Sequence, residues 1–147
     1  MAGEKTTSYA NGLLLAIFNG DFTGAAISSL LANAGSPLTV LYLSMHSADP
    51  TASGNQSSNE VSYTDYIRAS VSRTSSGFTV SGNAVTLTSA VNFAKCTGGT
   101  ATASYFGIGT NVSGNGHLLY AGPITPSILI SNQVTPELTS GTTITEA

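Results

Sequence analysis

The amino-acid sequence predicts a mainly β protein: an antiparallel β-sandwich or jelly roll of about eight strands, preceded by a short N-terminal helical segment. From Pro37 onward, short apolar runs are separated by Gly, Asn and Ser, whereas the residues before Ser36 carry apolar side chains at helical spacing. No repeat of fixed period is present in the sequence. We therefore expect an N-terminal helical segment or arm over 1–36 and a β-sandwich domain over 37–147.

The N-terminal segment shows helical periodicity twice. The first stretch places four large apolar side chains at helical spacing: Leu13, Leu14, Ile17 and Phe18. After an interruption at Asn19-Gly20 the spacing resumes as far as Ala34, and Gly35 and Pro37 follow as stop signals. We expect two short helices, or one helix broken near Gly20. Their apolar face either contacts a neighbouring molecule or covers the sandwich of the same chain.

The first strands of the β region differ in their predicted burial. Leu41, Leu43 and Met45 share one face of a strand whose other face is also apolar, which favours a central position. A long polar loop over 47–59 follows. Between Val61 and Val71 the apolar residues fall at odd-numbered positions, which predicts a half-buried strand.

Turn residues predict two hairpins in the second half of the chain. Ser81-Gly82-Asn83 and the Gly/Asn-rich run 112–116 each separate two apolar runs. The strands expected there and in the rest of the chain are 78–80, 85–87, 91–93, 105–109, 117–122, 128–130 and 142–145.

Charge is scarce. The 147 residues include 4 Lys or Arg and 7 Asp or Glu, so about 7% are charged, against roughly 25% in an ordinary soluble domain. A freely diffusing protein uses mixed surface charge to stay soluble, so this composition favours a structural subunit whose neighbours cover much of its surface. The scattered basic residues give no basis for a nucleic-acid partner.

The sequence gives no indication of a secretion signal or a membrane-spanning segment. The polar start does not have the form of a signal peptide, and the longest apolar run near it, 13–18, is too short to span a membrane. A single cysteine, Cys96, forbids an internal disulfide and is expected to be a small buried hydrophobe. We therefore expect synthesis in the cytoplasm and no membrane partner.

Three groups of residues could carry chemistry, and no pattern in the sequence singles any of them out. His46 and Asp49, with the many serines, could form a Ser-His-Asp triad, but an Asp-Pro turn after a strand explains them as well. Glu60 and Asp65 are the nearest carboxylates for glycoside cleavage. Four tyrosines that could stack on sugars are also compatible with core or interface positions: Tyr63, Tyr66, Tyr105 and Tyr120.

Metal and cofactor binding have little support in the sequence. His46, His117 and Cys96 lack the spacing of zinc ligands. Gly98-Gly99 and Gly107-Ile108-Gly109 lack the strand-to-helix context of a phosphate loop, so we interpret them as turn or packing glycines. We expect no enzyme activity, no cofactor and no metal.

Three stretches carry a family resemblance. They are SPLTVLYLSMHSADP at 36–50, NEVSYTDYIRA at 59–69, and YFGIGT at 105–110 with LLYAGPI at 118–124. In combination they resemble a group of small virion proteins of tailed bacteriophages, described as head decoration (cement) or tail-associated proteins. The resemblance supplies no catalytic residue.

The resemblance implies a virion structural protein, and head decoration is the role we expect first. Such a protein would bind the major capsid protein at the capsid surface as a symmetric oligomer, often a trimer. Leu13, Leu14, Ile17 and Phe18 are then candidate contacts with a neighbour or with the capsid. The alternatives are a tail-associated structural or receptor-binding protein and, with less support, a glycan-binding module.

Overall fold

The structure, a computed structural model, describes residues 7–23 and 38–146. The fold is mainly β with a short N-terminal helix, as predicted. Helix α1 (Thr7–Leu14) continues into one π-helical turn (Leu15–Asn19). The nine strands of the described residues are β1 (Val40–His46), β2 (Ala69–Ser72), β3 (Phe78–Ser81), β4 (Ala84–Leu87), β5 (Val91–Asn92), β6 (Ala101–Gly109), β7 (Leu118–Ile130), β8 (Glu137–Leu138) and β9 (Thr143–Thr145).

The chain divides into two compact units. Of the described residues, the helix-bearing unit takes in 7–23, 38–40, Ser72–Ala90 and 139–146, and the main-sheet unit takes in Leu41–Val71 and Val91–Leu138. The domain boundary expected at Ser36-Pro37 lies outside the described residues and stays a prediction. No helix of the described residues is long and apolar enough to cross a membrane.

The helix of the first unit ends where the sequence predicted an interruption. Gly20 follows the π turn with a φ of +62°, in the left-handed region, and its N–H donates to the carbonyl of Leu15. Glycine adopts this conformation without steric cost, which explains the end of the helix here. The second helical stretch predicted before Gly35 lies outside the described residues.

The helix-bearing unit is held together by apolar packing and by one arginine. Strands β3, β4 and β9 form an antiparallel sheet, and Ser81 pairs with Ala84 across the predicted hairpin turn. The Phe18 ring is fully buried and contacts Phe78 edge-to-face, with ring centroids 4.9 Å apart. Arg73 donates hydrogen bonds to the carbonyls of Ala16, Ile17 and Leu38. Two of these carbonyls, at Ala16 and Ile17, lie in the last turn of the helix, where carbonyls commonly have no acceptor role within the helix itself.

The main sheet has the strand order β2-β1-β6-β7. The predicted central position of β1 is confirmed, and Leu41, Leu43 and Met45 are buried on its core face. The second predicted hairpin is β6 and β7, which pair from Ala101–Ile130 to Gly109–Leu118. β7 is longer than expected, because it includes the strand predicted at 128–130.

β7 forms one edge of the main sheet and is irregular. It contains Pro123 and Pro126, and its pairing with β6 shifts register between Ala103 and Tyr105 and again between Ile108 and Gly109.

Strands β5 and β8 form a separate two-stranded sheet, and the sequence did not predict β8.

The half-buried strand predicted between Val61 and Val71 is wrong over most of its length. Only Ala69–Ser72 is a strand, and the side chain expected to point inward at Ile67 is 64% exposed, whereas Arg68 is buried. Asp65 has a φ of +74°, and the Tyr66 N–H donates to the Tyr63 carbonyl, which makes a turn. Because of this turn, the residues after Asp65 no longer continue the inward and outward alternation of the residues before it. Arg68 can be buried because it forms an ion pair with Glu60.

Candidate interaction site

The four predicted contact residues divide into two pairs. Leu14 and Phe18 are fully buried within the chain, whereas Leu13 and Ile17 are partly exposed. The first pair has the burial expected if the helix covers the fold of its own chain. Contact between Leu13 or Ile17 and a neighbouring molecule stays a prediction.

A second candidate site lies in the main-sheet unit, where the polar loop 47–59 packs on the sheet. Gln56, in this loop, is fully buried. A Cβ atom placed on Gly109 would lie 2.1 Å from Gln56 Cδ, so the absent side chain makes room for the glutamine. The Gln56 Oε1 atom accepts from the Asn111 N–H at 2.9 Å, and the Gln56 N–H donates to the Gly116 carbonyl at 3.1 Å. The loop is therefore fastened to the hairpin loop 110–117 that joins β6 to β7.

Arg68 contacts both loops and Glu60, the residue that follows the polar loop. Its Nη2 atom donates to Ser57 Oγ of the polar loop at 3.4 Å. Its Nε and Nη2 atoms donate to the two Glu60 carboxylate oxygens, each at 2.7 Å. Its Nη1 and Nη2 atoms also donate to the carbonyls of Asn111 and Gly114 in the hairpin loop, at 3.0 and 2.8 Å. Bidentate, charge-assisted hydrogen bonds are strong and fix geometry. We call loops 47–59 and 110–117 together the loop platform.

Tyr66 completes the support of the platform. Its hydroxyl donates to Glu60 Oε1 at 2.8 Å and accepts from the Met45 N–H at 3.2 Å. Burial, the largest cause, raises the pKa of Tyr66, so its hydroxyl stays protonated. The hydrogen bonds to Glu60 raise the pKa of Arg68. Both oxygens of Glu60 accept hydrogen bonds, so its carboxylate is satisfied, and its charge is opposite to that of Arg68.

The exposed surface of the platform is almost uncharged. The hairpin loop presents Ser113, Gly114 and Asn115 beside Val112, which is 58% exposed. A groove of about 350 Å³ lies between the polar loop and the start of β7. Its lining is Asp49, Thr51, Ala52, Gly54, Leu118, Leu119, Tyr120 and Ala121. The arrangement suits packing against a neutral, polar surface.

His46 and Asp49 do not come together as a triad. His46 is fully buried; its Nδ1 atom lies 2.7 Å from the Ser58 carbonyl and its Nε2 atom 2.9 Å from Ser44 Oγ. A carbonyl can only accept, so Nδ1 carries the proton and the Ser44 hydroxyl donates to Nε2. Asp49 is exposed and accepts from the Thr51 N–H. Ser44 is itself fully buried, which gives an external substrate no access to its hydroxyl.

The other candidate groups are also separated. Glu60 is engaged by Arg68, whereas Asp65 is exposed and accepts from the Thr97 hydroxyl. The cross-strand partners of Tyr105 and Tyr120 are Pro123 and Ile108, which places the two tyrosines on opposite faces of the sheet.

The two remaining tyrosines belong to the interior. The Tyr63 and Tyr66 rings contact edge-to-face at 5.3 Å, and Tyr63 is buried. Burial is the main reason that the pKa of Tyr63 rises to about 12.

The candidate metal ligands are not brought together. Cys96 is buried, as expected for a small hydrophobe, and His117 is exposed at the end of the hairpin loop. In the part of the chain that the structure describes, no group of three or more His, Cys, Asp or Glu residues is placed to hold a metal ion.

A comparison with protein families decides the kind of protein. The family model described as podophage GP4 fiber I protein gp80 matches residues 22–145, which is most of the chain. The chain belongs to this family of phage fibre proteins. It is therefore a virion structural protein. No curated protein matches the chain.

Sequence reasoning missed the role of the residues that build the loop platform of this fibre-family protein. Gln56 sits in a loop with no periodic pattern, and the alternation at 61–71 assigned Arg68 to a solvent face. One signal was present: Glu60, Tyr66 and Arg68 all lie in the 59–69 stretch that carries the resemblance. These residues contact one another, so the motif marks a structural network.

Proposed function

We propose that the protein is a non-enzymatic structural subunit of the phage tail fibre. The match of the fibre family to residues 22–145 carries this proposal. The scarcity of charge supports it, because a surface with so few charges can be covered by neighbours at a low desolvation cost. This is the tail-associated alternative among the roles expected from the sequence.

The loop platform is the surface through which the subunit contacts the next component of the fibre. Arg68 and Gln56 hold both loops in one arrangement before any partner arrives. A preorganised surface loses little conformational entropy on binding, which favours affinity. Exposed Val112 of the hairpin loop supplies apolar area, and the serine, glycine and asparagine that follow it in the sequence supply hydrogen-bonding groups.

The subunit acts in a symmetric homo-oligomer, most simply a trimer. Closed symmetry uses one small interface repeatedly, and several linked copies bind a partner with avidity. The partly exposed residues Leu13 and Ile17 of the helix-bearing unit are candidate contacts in that oligomer.

Head decoration is the second candidate function. One observation favours it: the α-helix of the described residues has only 8 residues, whereas a fibre shaft commonly contains a trimeric coiled coil or long repeats. In this role the oligomer binds the major capsid protein at the capsid surface. The glycan-binding alternative has less support, because Tyr105 and Tyr120 lie on opposite faces of the sheet.

Imaging of phage particles that carry a tagged copy of the chain tests the proposal. Label on the tail, together with tail density that fits the main sheet, is the expected result. Label at regular positions on the icosahedral shell would assign the head decoration role. Particles that lack the label but contain all other structural proteins would contradict both roles.

A further inference from the structure

The sequence contains three Asn-Gly pairs: Asn11-Gly12, Asn19-Gly20 and Asn115-Gly116. Asparagine is a chemically labile residue. It is most labile before glycine, because no side chain hinders the attack of the next backbone nitrogen on the asparagine amide carbon. The three pairs have the same intrinsic chemistry, so differences in their reactivity report their surroundings.

In two of the pairs, both the asparagine side chain and the backbone of the following glycine are fixed by the fold. The Asn11 side-chain nitrogen donates to the Gly82 carbonyl at 2.7 Å, and Gly12 lies inside helix α1. The Asn19 amide nitrogen donates to the carbonyls of Phe78 and Thr74 at 3.0 and 3.2 Å, in the orientation that satisfies both. The Gly20 N–H donates to Leu15. Reaction at either pair requires these bonds to open first.

The third pair lies at the tip of the hairpin loop. Asn115 is exposed, and its side chain makes no hydrogen bond with any other residue that the structure describes. The Gly116 N–H donates only across two residues, to the Gly114 carbonyl at 2.9 Å. The side-chain amide of Asn115 is therefore free to rotate. Although Gly116 is buried, reaction requires only its N–H bond to Gly114 to open, whereas the other two pairs must also release the asparagine side chain.

We propose that Asn115-Gly116 is a site of spontaneous covalent modification in the folded protein, at which Asn115 converts to isoaspartate and aspartate. The Gly116 backbone nitrogen gives its proton to hydroxide and bonds to the Asn115 Cγ atom. The side-chain nitrogen takes a proton from water as its bond to Cγ breaks, so ammonia leaves and hydroxide is regenerated. Water then opens the resulting succinimide at either carbonyl. Overall, one water is consumed and one ammonia is released, with no oxidation or reduction.

The modification changes the loop platform in two ways. It places a carboxylate on a nearly uncharged tip. Isoaspartate also adds one carbon to the backbone beside Gly116, whose carbonyl accepts from the Gln56 N–H at 3.1 Å. The neighbouring Gly114 carbonyl accepts from Arg68. The longer backbone shifts these two acceptors relative to each other and loosens the contact between the two loops.

Peptide mapping of the full-length protein tests the proposal. The folded protein is held at mildly alkaline pH and sampled over time by mass spectrometry, which resolves the gain of about 1 Da at each asparagine. We expect Asn115 to react at least about tenfold faster than Asn11 and Asn19, since their local opening must precede reaction. In denaturant the three rates should converge. Equal rates in the folded protein, or no reaction at Asn115 while Asn11 or Asn19 reacts, would overturn the proposal.

Two variants separate charge from backbone change. Asn115→Gln should abolish the 1 Da gain in this loop and leave Asn11 and Asn19 unaffected. Asn115→Asp supplies the carboxylate by direct substitution. Hydrogen exchange should be faster at 110–117 and 51–58 in the aged wild-type protein than in freshly purified Asn115→Asp. Equal exchange in the two would contradict the proposed loosening of the platform by isoaspartate.

Discussion

Each of the two units holds an arginine away from solvent, Arg68 almost fully and Arg73 only in part, and the two arginines have different partners. In the main-sheet unit, Arg68 forms a bidentate pair with Glu60, and these hydrogen bonds raise its pKa. In the helix-bearing unit, the three hydrogen bonds of Arg73 go to backbone carbonyls, and burial lowers its pKa. The half-buried cation of Arg73 is thus accompanied by carbonyl dipoles and by the Phe22 ring, whose centroid lies 5.5 Å from Cζ. The almost fully buried cation of Arg68 is accompanied by a carboxylate.

The helix-bearing unit and the loop platform of the main-sheet unit also differ in the contacts that hold them together. Phe18, Leu14 and Phe78 give the helix-bearing unit a small aromatic and aliphatic core. The loop platform is held by hydrogen bonds of Arg68 and Gln56 to backbone groups. Substitutions in the two units should therefore reduce stability for different physical reasons, and four predictions test this contrast.

The largest effect is expected from Arg68→Ala. It leaves the Glu60 carboxylate, which is only 16% exposed, without its cation and removes the donors to Asn111 and Gly114. Urea denaturation should show a loss of about 4 kcal/mol. The double variant Glu60→Gln/Arg68→Met should recover part of that loss, because no unpaired charge is left buried. A loss below about 1 kcal/mol for Arg68→Ala would show that the pair is not needed.

The next effect is expected from Phe18→Ala. Removal of this fully buried ring should cost about 3 kcal/mol by urea denaturation, since it leaves a cavity against Phe78. Ile17→Ala is the matched control at a partly exposed neighbour and should cost much less. Hydrogen exchange should become faster in β3 and β4 but not in the platform. Equal losses for the two variants would contradict the buried position of Phe18.

A smaller loss is expected from Gly107→Ala. The added Cβ would lie 2.6 Å from His46 Nε2 and 2.8 Å from Ser44 Oγ, closer than these buried atoms permit. Thermal unfolding should report a loss of about 2 kcal/mol. Gly141→Ala, whose Cβ would meet its nearest atom at 3.6 Å, serves as the control and should change little. No difference between the two alanine variants would rule out the tight packing at His46.

The smallest effect is a pH dependence at His46. Burial lowers the pKa of His46 from the ordinary value of 6.5, so the unfolded state binds a proton at a higher pH than the folded state does. Stability is then fully present above pH 6.5 and falls as the pH drops below that value. Chemical denaturation across this range should show a steeper acid loss for the wild type than for His46→Gln. Identical slopes would mean that His46 does not titrate differently in the two states.

Local patterns in the sequence predicted much of the fold. The helical spacing of Leu14 and Phe18 and the turn at Gly82 depend on neighbouring residues, and the structure has both features. The alternation at 61–71 failed because Asp65 adopts a positive φ and Arg68 has a partner eight residues earlier in the chain.

The candidate site was predictable only in part. Its loops were recognised as polar segments, but the contacts that join them depend on folding. Gln56 meets Gly109 and Asn111, which lie more than fifty residues away in the chain. No local pattern encodes such a pairing, because it depends on which strands become neighbours.

The irregular edge strand β7 has a consequence for solubility. An exposed edge without charges invites strand addition by other copies and, eventually, cross-β aggregation. β7 contains no Asp, Glu, Lys or Arg. It carries instead two prolines, which have no N–H to donate, and two register shifts, which bend the ladder. A chain that can hardly use charge repulsion thereby limits amyloid-like growth through backbone geometry, even at the high local concentration of an assembling virion.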